Sequence, residues 1–256
     1  MVNKNRFLQA SMLVLACQGW GTSPVFSREP GFSLLILRAK TPPKIDGKLD
    51  DSVWKSAPRA ELAWNEKGEK VNEDLRTQAM AAYDDGSLYV AFLTRYPDSS
   101  ALRAHAEHDR LVLDDDQVGL VIEPGEAVKG SSFRIMVNPA NATLDTWQPP
   151  RALLRKLENR EIPSELTPIA LAYPKYAEWN PKELRTATHR DKTSWTVEMK
   201  IAFEDLLQSG IPAGKTWKGN FIRHAVGWGD IWTTWSRAGK GFDSVPEKFG
   251  DLIFEK

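Results

Sequence analysis

Aromatic and amide side chains come together in the segment NPANATLDTWQPP, residues 138–150 of this 256-residue chain. The segment places Asn138 and Trp147 in or beside a loop, and Trp179 follows later in the sequence. An indole face stacks on the C–H face of a pyranose, while neighbouring polar groups fix the orientation of the sugar. Asn138, Trp147 and Trp179 are therefore candidate sugar contacts, with packing in a core as the alternative for both indoles.

A second aromatic segment, GWGDIWTTWSR, carries three of the ten tryptophans. Loops are where binding platforms usually lie, and Arg237 adds a charged donor beside the rings. Indoles also fill protein cores, because each ring buries a large apolar area. We expect at least one of Trp228 and Trp232 to be a core residue.

Three consecutive aspartates, residues 114–116, form the densest group of hard oxygen ligands in the chain. Asp115 and Asp116 are the candidate metal ligands. Neighbouring residues on a strand point to opposite faces, so the group converges on one ion only within a loop. Solvated loop acids are the alternative. His105 and His108 have a helix-like spacing, but no third ligand signature accompanies them, and no zinc site is predicted.

Catalytic motifs do not appear in the sequence, which has no G-x-S-x-G, H-E-x-x-H, Walker or dinucleotide-binding pattern. A glycosidase needs only two facing carboxylates, and candidates exist at Asp116, Glu123, Asp145 and Glu198. No spacing selects a pair among them. The sequence therefore favours a non-catalytic protein and leaves catalysis open.

Charge and composition limit the classes of partner. The chain has 34 Lys plus Arg and 34 Asp plus Glu, without the basic excess of a nucleic-acid binder. We expect no nucleic-acid partner. An apolar content of 41% is enough for the core of one domain.

We predict that residues 1–27 are an export signal or lipoprotein leader and a linker. Lys4 and Arg6 precede an apolar run, residues 7–16, that is too short to span a bilayer. Cys17 ends LVLAC, which resembles a lipoprotein leader, so we expect a periplasmic, secreted or lipid-anchored protein whose membrane contact is a lipid on Cys17. The alternative is that Cys17 is removed with the leader. A single cysteine excludes an internal disulfide.

The elements that must position these residues are strands. SWTVEMKIAF, residues 194–203, alternates apolar and polar side chains with the period of a half-buried strand. Residues 84–87, DDGS, lie between two β-rich runs and predict a hairpin, because glycine accepts positive φ. Further short strands with Gly-, Pro- and Asn-rich connections predict an all-β fold, an antiparallel β-sandwich of jelly-roll type. Only two segments, residues 151–160 and 203–208, have helical patterns, which predicts a short helical insertion.

The order of these segments resembles the family 9 carbohydrate-binding module. The matching segments within residues 34–256 are PKIDGKLDDSVWKSAP, AAYDDGSLYVAF, DDDQVGLVIEP, FRIMVNPAN, SWTVEMKIAFEDL, GNFIRH, TTWS and PEKFGDLIF. The resemblance implies one jelly-roll domain over residues 28–256, with Trp54 and Trp235 as packing residues. It also implies structural calcium.

The resemblance implies a sugar site that this chain keeps in part. In the family, two tryptophans clamp a terminal sugar, and a glutamate, an arginine and amide side chains bond its hydroxyls. Arg134 keeps the arginine position, Arg223 takes an amide position, and Phe242 lies next to the second clamp position. Arg134, Arg223 and Phe242 are the implied ligand-binding residues, and two arginines favour an acidic sugar.

Three positions of the family's site carry other residues. Leu113 replaces the first clamp tryptophan, Asp243 replaces the second, and Gly119 replaces the glutamate. The predicted function is still non-catalytic binding of oligo- or polysaccharide, in an exported bacterial polysaccharide-utilisation system.

Two other functions remain as hypotheses on the same fold. Some relatives hold haem through Met, His or Lys, for which the candidate ligands are Met80, Met136, Met199, His189 and His224. A scaffolding module that binds neither sugar nor haem is the other alternative, and a glycan-active enzyme is a further one.

Overall fold

Strands form most of the regular structure. The computed structural model describes residues 31–108, 114–125, 130–148, 177–208, 210–240, 243 and 245–256. Within these ranges the chain forms helix α1 (Ser52–Ser56) and the strands β1 (Ser33–Arg38), β2 (Ala60–Glu61), β3 (Trp64–Asn65), β4 (Thr77–Tyr83), β5 (Ser87–Arg95), β6 (Gln117–Glu123), β7 (Ser132–Val137), β8 (Thr143–Gln148), β9 (Ala177–Glu178), β10 (Arg185–Arg190), β11 (Ser194–Ala202), β12 (Thr216–Ala225), β13 (Ile231–Thr234) and β14 (Gly250–Phe254). The predicted leader and the helix predicted at residues 151–160 lie outside the described residues. No helix in the described ranges is long and apolar enough to cross a membrane.

Two sheets, joined by β1, form a curled sandwich. Sheet A has the order β14-β12-β6-β7-β8-β9, and β13 pairs with β12 and β3. Sheet B has the order β10-β11-β5-β4, with β2 beside β4. Residues 33–36 of β1 pair with β14, and residues 37–38 pair with β4. The predicted sandwich is confirmed, but the antiparallel expectation is wrong for β1, which runs parallel to both neighbours.

The main core lies between the two sheets. The predicted alternation in β11 is confirmed, because Trp195, Val197 and Met199 are each at most 1% exposed. Phe92 of β5 and Phe221 of β12 meet edge to face, with ring centroids 5.9 Å apart. Such pairs add to the free energy gained from burying the rings.

The predicted hairpin between β4 and β5 is confirmed. The Asp84 N–H donates to the Ser87 carbonyl at 3.0 Å, and the Asp84 carboxylate accepts from the N–H groups of Gly86 and Ser87, each at 2.9 Å. This side chain therefore fixes the turn from within, as aspartate commonly does.

The helix predicted at residues 203–208 is wrong, because the segment forms consecutive turns. The Leu206 N–H donates to the Phe203 carbonyl at 3.1 Å, and Leu207 takes a left-handed conformation with φ of 56°. Six residues are too few to repay the cost of helix nucleation, and a left-handed residue cannot continue a right-handed helix.

The segment that opens the domain, IDGKLDDSVW, covers the outer face of sheet B. Its Trp54, on α1, is 1% exposed and packs in a cluster with Met80 and Tyr89. A buried carboxylate, Glu198 of β11, holds the segment in place. Its Oε1 accepts from the Trp54 indole N–H at 2.7 Å, and its Oε2 accepts from the Asp46 N–H at 3.0 Å. The prediction that Trp54 is a packing residue is confirmed.

Gly47 completes this attachment. Its N–H donates to the Glu198 Oε2 at 2.8 Å, and its φ is 82°. A Cβ at this position would lie 2.6 Å from the Thr188 carbonyl carbon. Only glycine meets both the backbone angle and the close approach to β10.

Candidate functional site

Arg134 lies on the outer face of sheet A, the side turned away from the core. It belongs to a cross-strand row with Asn220 of β12, Val121 of β6 and Thr146 of β8. Its guanidinium forms an ion pair with the Asp243 carboxylate and donates to the Asp243 carbonyl at 3.3 Å. The Arg134 side chain is 13% exposed and that of Asp243 is 27% exposed. Arg134, predicted as a sugar-binding residue, thus lies at a partly open surface.

Asp243 changes the electrostatics of this surface. The prediction of an acidic sugar assumed that the guanidinium groups of Arg134 and Arg223 face solvent, where they would attract a uronate. The carboxylate of Asp243 offsets the charge of Arg134, and Arg223 does not lie on this face. The basis for expecting an acidic sugar is therefore absent from the structure, and the ion pair offers neighbouring donors and acceptors suited to neutral hydroxyls.

Apolar side chains fill the place of the family's glutamate. A Cβ on Gly119 of β6 would lie 2.0 Å from the Ile135 carbonyl oxygen and 2.5 Å from the Met136 Sδ. Met136 belongs to a buried cluster on the outer face. The cluster contains Val121, Met136, Ile222 and Phe249, with Leu144 and Trp232 packed against it. No carboxylate can project from position 119 without moving β7.

Arg223 is enclosed in the interior, which corrects its prediction as a sugar contact. Its exposed fraction is 0%. Its Nη1 donates to the Leu75 carbonyl at 2.8 Å, the Thr77 Oγ1 at 3.0 Å and the Arg95 carbonyl at 3.0 Å. Residues two apart on a strand share a face, and Arg223 is in phase with the core residue Phe221. The guanidinium therefore fastens β12 to sheet B.

Asp116 lies within electrostatic range of Arg223 in the interior. Burial raises the pKa of the Asp116 carboxyl, against the hydrogen bond from the Arg103 N–H and the charge of Arg223. Burial also lowers the pKa of Arg223 to about 10, while Asp116 opposes that shift. The Trp228 ring lies 5.8 Å from the Arg223 guanidinium carbon. The charges of Asp116 and Arg223 thus compensate each other, and the Trp228 ring packs against the guanidinium.

Asn138 uses its hydrogen-bonding groups within the fold, which corrects its prediction as a sugar contact. It is 6% exposed. Its Oδ1 accepts from the N–H groups of Ala140 and Ala142, each at 2.9 Å. Its Nδ2 donates to the His105 carbonyl and to the Asp115 Oδ2, each at 2.7 Å. Asn138 therefore closes the turn between β7 and β8 and ties it to the segment around His105.

The carboxylates of Asp115 and Asp116 do not fit the predicted calcium site. The Asp115 Oδ2 accepts from the His105 N–H at 3.0 Å, and its Oδ1 bonds the His105 Nδ1 at 2.6 Å. The Asp116 Oδ2 accepts from the Arg103 N–H at 2.8 Å. Calcium requires several oxygen ligands, whereas both Asp115 oxygens and the Asp116 Oδ2 are already bonded to nitrogen atoms, which leaves the buried Asp116 Oδ1 alone. In the described part of the chain, no three or more His, Cys, Asp or Glu side chains are grouped to hold a metal ion.

Trp147 and Trp179 lie at the margin of the core, half-buried. Trp147 is the register partner of Phe133, and the Trp179 ring centroid lies 4.7 Å from that of Phe133. The Trp179 indole N–H donates to the Asp205 carbonyl at 3.1 Å. Both rings thus take the packing role that was their alternative. Phe242 lies outside the described residues.

The tryptophans of the segment GWGDIWTTWSR differ in burial. Trp235 is 6% exposed, which confirms its packing role. Trp228 and Trp232 are both half-buried, and Trp228 packs against the main core, as expected of one of the two. The Trp232 ring stacks on the His224 ring with centroids 4.0 Å apart, which leaves it at the surface of the outer-face cluster.

The methionines proposed as haem ligands lie in three separate hydrophobic clusters. Met199 belongs to the core between the sheets, Met80 to the cluster beneath α1, and Met136 to the outer face of sheet A. Since each cluster lies on a different side of a sheet, these side chains cannot ligate one haem together.

The sequence analysis did not assign a role in the site to two residues of the outer face, Asp243 and Asn220. Asp243 is 109 residues from Arg134, so no local pattern announces their pairing. Asn220 shares the Arg134 row, and its Oδ1 accepts from the Ser236 N–H at 3.0 Å. The alternation of Trp217 and Phe221 along β12 places Asn220 on the outer face, and that signal was present in the sequence.

The same architecture occurs in solved carbohydrate-binding structures. A Bacteroides uniformis protein provisionally described as carbohydrate-binding is 16% identical, with a TM-score of 0.62 over 88% of this chain and 100% of that chain. A family 9 module from Caldicellulosiruptor kristjanssonii in complex with cellotriose is 14% identical, with a TM-score of 0.59 over 87% of this chain and 93% of that chain. The same kind of module from that organism in complex with glucose gives 14% identity and a TM-score of 0.59 over 87% of this chain and 95% of that chain. These likenesses show that the fold is that of family 9 carbohydrate-binding modules. The sequence matches no known family model and no curated protein.

Proposed function

We propose that this protein binds oligo- or polysaccharide without catalysis, in an exported bacterial system that uses plant or cell-surface glycan fragments. The observation that carries the proposal is Arg134, which keeps the family's arginine position at a partly open surface of a family 9 fold. Solved structures of that fold hold cellotriose and glucose. The ion pair between Arg134 and Asp243 favours a neutral sugar, because Asp243 already compensates the charge of the guanidinium.

Calorimetry with cellotriose, glucuronoxylan fragments and oligogalacturonate tests the proposal. We expect the neutral ligand to bind at least as well as the acidic ligands. Arg134→Ala should weaken binding by about tenfold or more, because a hydrogen bond to a charged group contributes roughly 1.5–3 kcal/mol. Arg185→Ala, at an exposed position on β10, is the control. Absence of binding to all three ligands in the wild-type protein would remove the proposed function.

Export is part of the same proposal, and the basic residues and apolar run before Cys17 support it. Mass spectrometry of the protein from its natural source should show a chain without its leader, with or without a lipid on Cys17. A mature protein that begins at Met1 would contradict export by this leader.

A further inference from the structure

A cavity of about 360 Å³ opens beside the Arg134 row at one end of sheet A. Its lining includes Glu123, Thr216, Trp217, Lys218, Pro246 and Glu247. Binding pockets for small ligands begin at about 300 Å³. The cavity is thus large enough for one sugar unit.

The cavity is continuous with the surface that carries Arg134. Val121 pairs with Arg134, and Glu123 lies two residues further along the same face of β6. Two residues of a strand span about 7 Å. On the other side, Pro246 and Glu247 belong to the same connection between β13 and β14 as Asp243. One ligand can therefore reach both the ion pair and the cavity.

The chemistry of the lining suits a polyhydroxylated ligand. The buried Trp217 and Pro246 form the floor of the cavity, the methyl group of Thr216 and the methylene groups of Lys218 add apolar surface, and the carboxylates of Glu123 and Glu247 can accept hydrogen bonds from hydroxyls. The Lys218 Nζ donates to the Asp251 Oδ1 at 2.5 Å. Apolar walls with a few placed polar groups are typical of sugar and small-molecule sites.

An exposed apolar strip continues from the mouth of the cavity. Thr216 lines the cavity and pairs with Ile253 of β14, which in turn pairs with Leu35 of β1. Leu35 is 42% exposed and Ile253 is 39% exposed. Large apolar side chains at such exposure, in register on neighbouring strands, form a surface on which the C–H faces of further sugar units can lie.

We propose that one pyranose unit of a neutral oligosaccharide occupies this cavity and that the next units run past Thr216 over the Leu35–Ile253 strip. The proposal rests on the proposed function and adds a ligand length, because one sugar fills the cavity but does not reach the strip. Affinity should therefore rise by at least about tenfold from glucose to cellotriose.

Two variants separate this site from the rest of the outer face. Glu247→Gln removes one carboxylate of the cavity, and Ile253→Lys places a charge on the strip. Each should lower the affinity for cellotriose by about tenfold, and Ile253→Lys should leave the affinity for glucose unchanged. Glu73→Gln is the matched control, since Glu73 and Glu247 both lie in the first turn of a 3₁₀ helix.

Calorimetry of these variants distinguishes the two proposals. Wild-type affinity for cellotriose in both Glu247→Gln and Ile253→Lys, with unchanged melting temperatures, would overturn the cavity site and leave the proposed function standing. A wild-type protein that binds no saccharide would overturn both. A loss of cellotriose binding in Glu73→Gln equal to that in Glu247→Gln would also overturn the cavity site.

Discussion

Glu198 explains why the domain opens with Asp-Gly and a tryptophan. Its carboxylate accepts hydrogen bonds from the backbone N–H groups of Asp46 and Gly47 and from the Trp54 indole. Three donors from one segment converge on one acid of β11. The sequence offered Glu198 as a candidate catalytic carboxylate, whereas its 0% exposure and three partners make it a structural anchor.

The first prediction concerns the stability of Glu198→Gln. The amide puts an N–H₂ in place of one of the two accepting oxygens, so at least one buried donor loses its acceptor at a cost of about 1–3 kcal/mol. We expect a lower midpoint in urea unfolding for Glu198→Gln and no change for the exposed control Glu204→Gln. Equal midpoints for the two variants would contradict the anchoring role.

The second prediction is the pH dependence of this effect. Burial raises the pKa of Glu198 above its ordinary value of 4.5, despite the hydrogen bonds that oppose the shift. The folded protein thus holds the proton more tightly than the unfolded chain, and the resulting stability is complete below pH 4.5. It is lost as pH rises through the pKa of the folded state. The stability difference between wild type and Glu198→Gln should therefore narrow as pH rises above 4.5. A difference that widens in unfolding curves at increasing pH would contradict the direction of the shift.

The third prediction is that the family's glutamate cannot be restored at Gly119. A side chain at this position meets the backbone of Ile135 as well as Met136, and backbone cannot move aside as a flexible side chain can. Gly119→Glu should lose more than about 3 kcal/mol of unfolding free energy in chemical denaturation. Gly210→Ala is the control, because a Cβ there meets nothing within 4 Å. A Gly119→Glu protein as stable as wild type would show that the backbone of β7 can move away from position 119.

For individual residues, the sequence could predict the place of a side chain on a strand but not the residue that it pairs with. Arg134 was singled out because the resemblance to family 9 modules places an arginine there, and the structure puts it at a partly open surface. The resemblance predicts Arg223 as a sugar contact, whereas the alternation of Trp217 and Phe221 places Arg223 on the core face of β12. The pairing of Arg134 with Asp243 joins residues 109 apart, which no local pattern can reveal.

At the scale of elements, β11 is held by strand pairing on both of its edges. It pairs with β10 on one side and β5 on the other, and its inward side chains fill the core. These two pairings fix its register, so a change on its inward face cannot be relieved by slipping one residue without exposing the whole apolar set.

The fourth prediction is that Val197→Asp unfolds the domain. Val197 is 0% exposed, and an unpaired buried charge costs several kcal/mol against a domain stability of about 5–15 kcal/mol. Circular dichroism should show no cooperative melting for Val197→Asp, while Lys192→Asp in the exposed turn before β11 should melt like wild type. Cooperative melting of Val197→Asp near the wild-type temperature would show that this face of β11 is not buried.

Strands with strict alternation and glycine-containing turns were predictable, because both signals are local. β11 and the hairpin of β4 and β5 are examples. The parallel pairings of β1 were not, since a short apolar run carries no information on the direction of its neighbours. The helical pattern at residues 203–208 failed because six residues form a helix only with tertiary support.

At the scale of the whole molecule, β1 makes the two sheets one unit. It bonds β14 of sheet A and β4 of sheet B, and Ile36 at its centre is 0% exposed within the shared core. If either sheet unfolds, the core-facing side chains of the other sheet become exposed to solvent. Unfolding should therefore be cooperative.

The fifth prediction tests this coupling. Tryptophan fluorescence and far-ultraviolet circular dichroism should give coincident unfolding curves in guanidinium, and Ile36→Asn should shift both curves by the same amount. The exposed neighbour Leu35→Asn is the control. Two separated transitions, or a shift confined to one probe, would show that the sheets unfold independently.

The position of β1 also sets the order of events during synthesis. Of the strands that the structure describes, β1 is synthesised first, yet its partner across residues 33–36 is β14, which is synthesised last. Residues 33–36 therefore lack their strand partner until residues 250–254 have been made. The sandwich therefore cannot be completed until β14 has been synthesised, however early the rest of sheet B has formed.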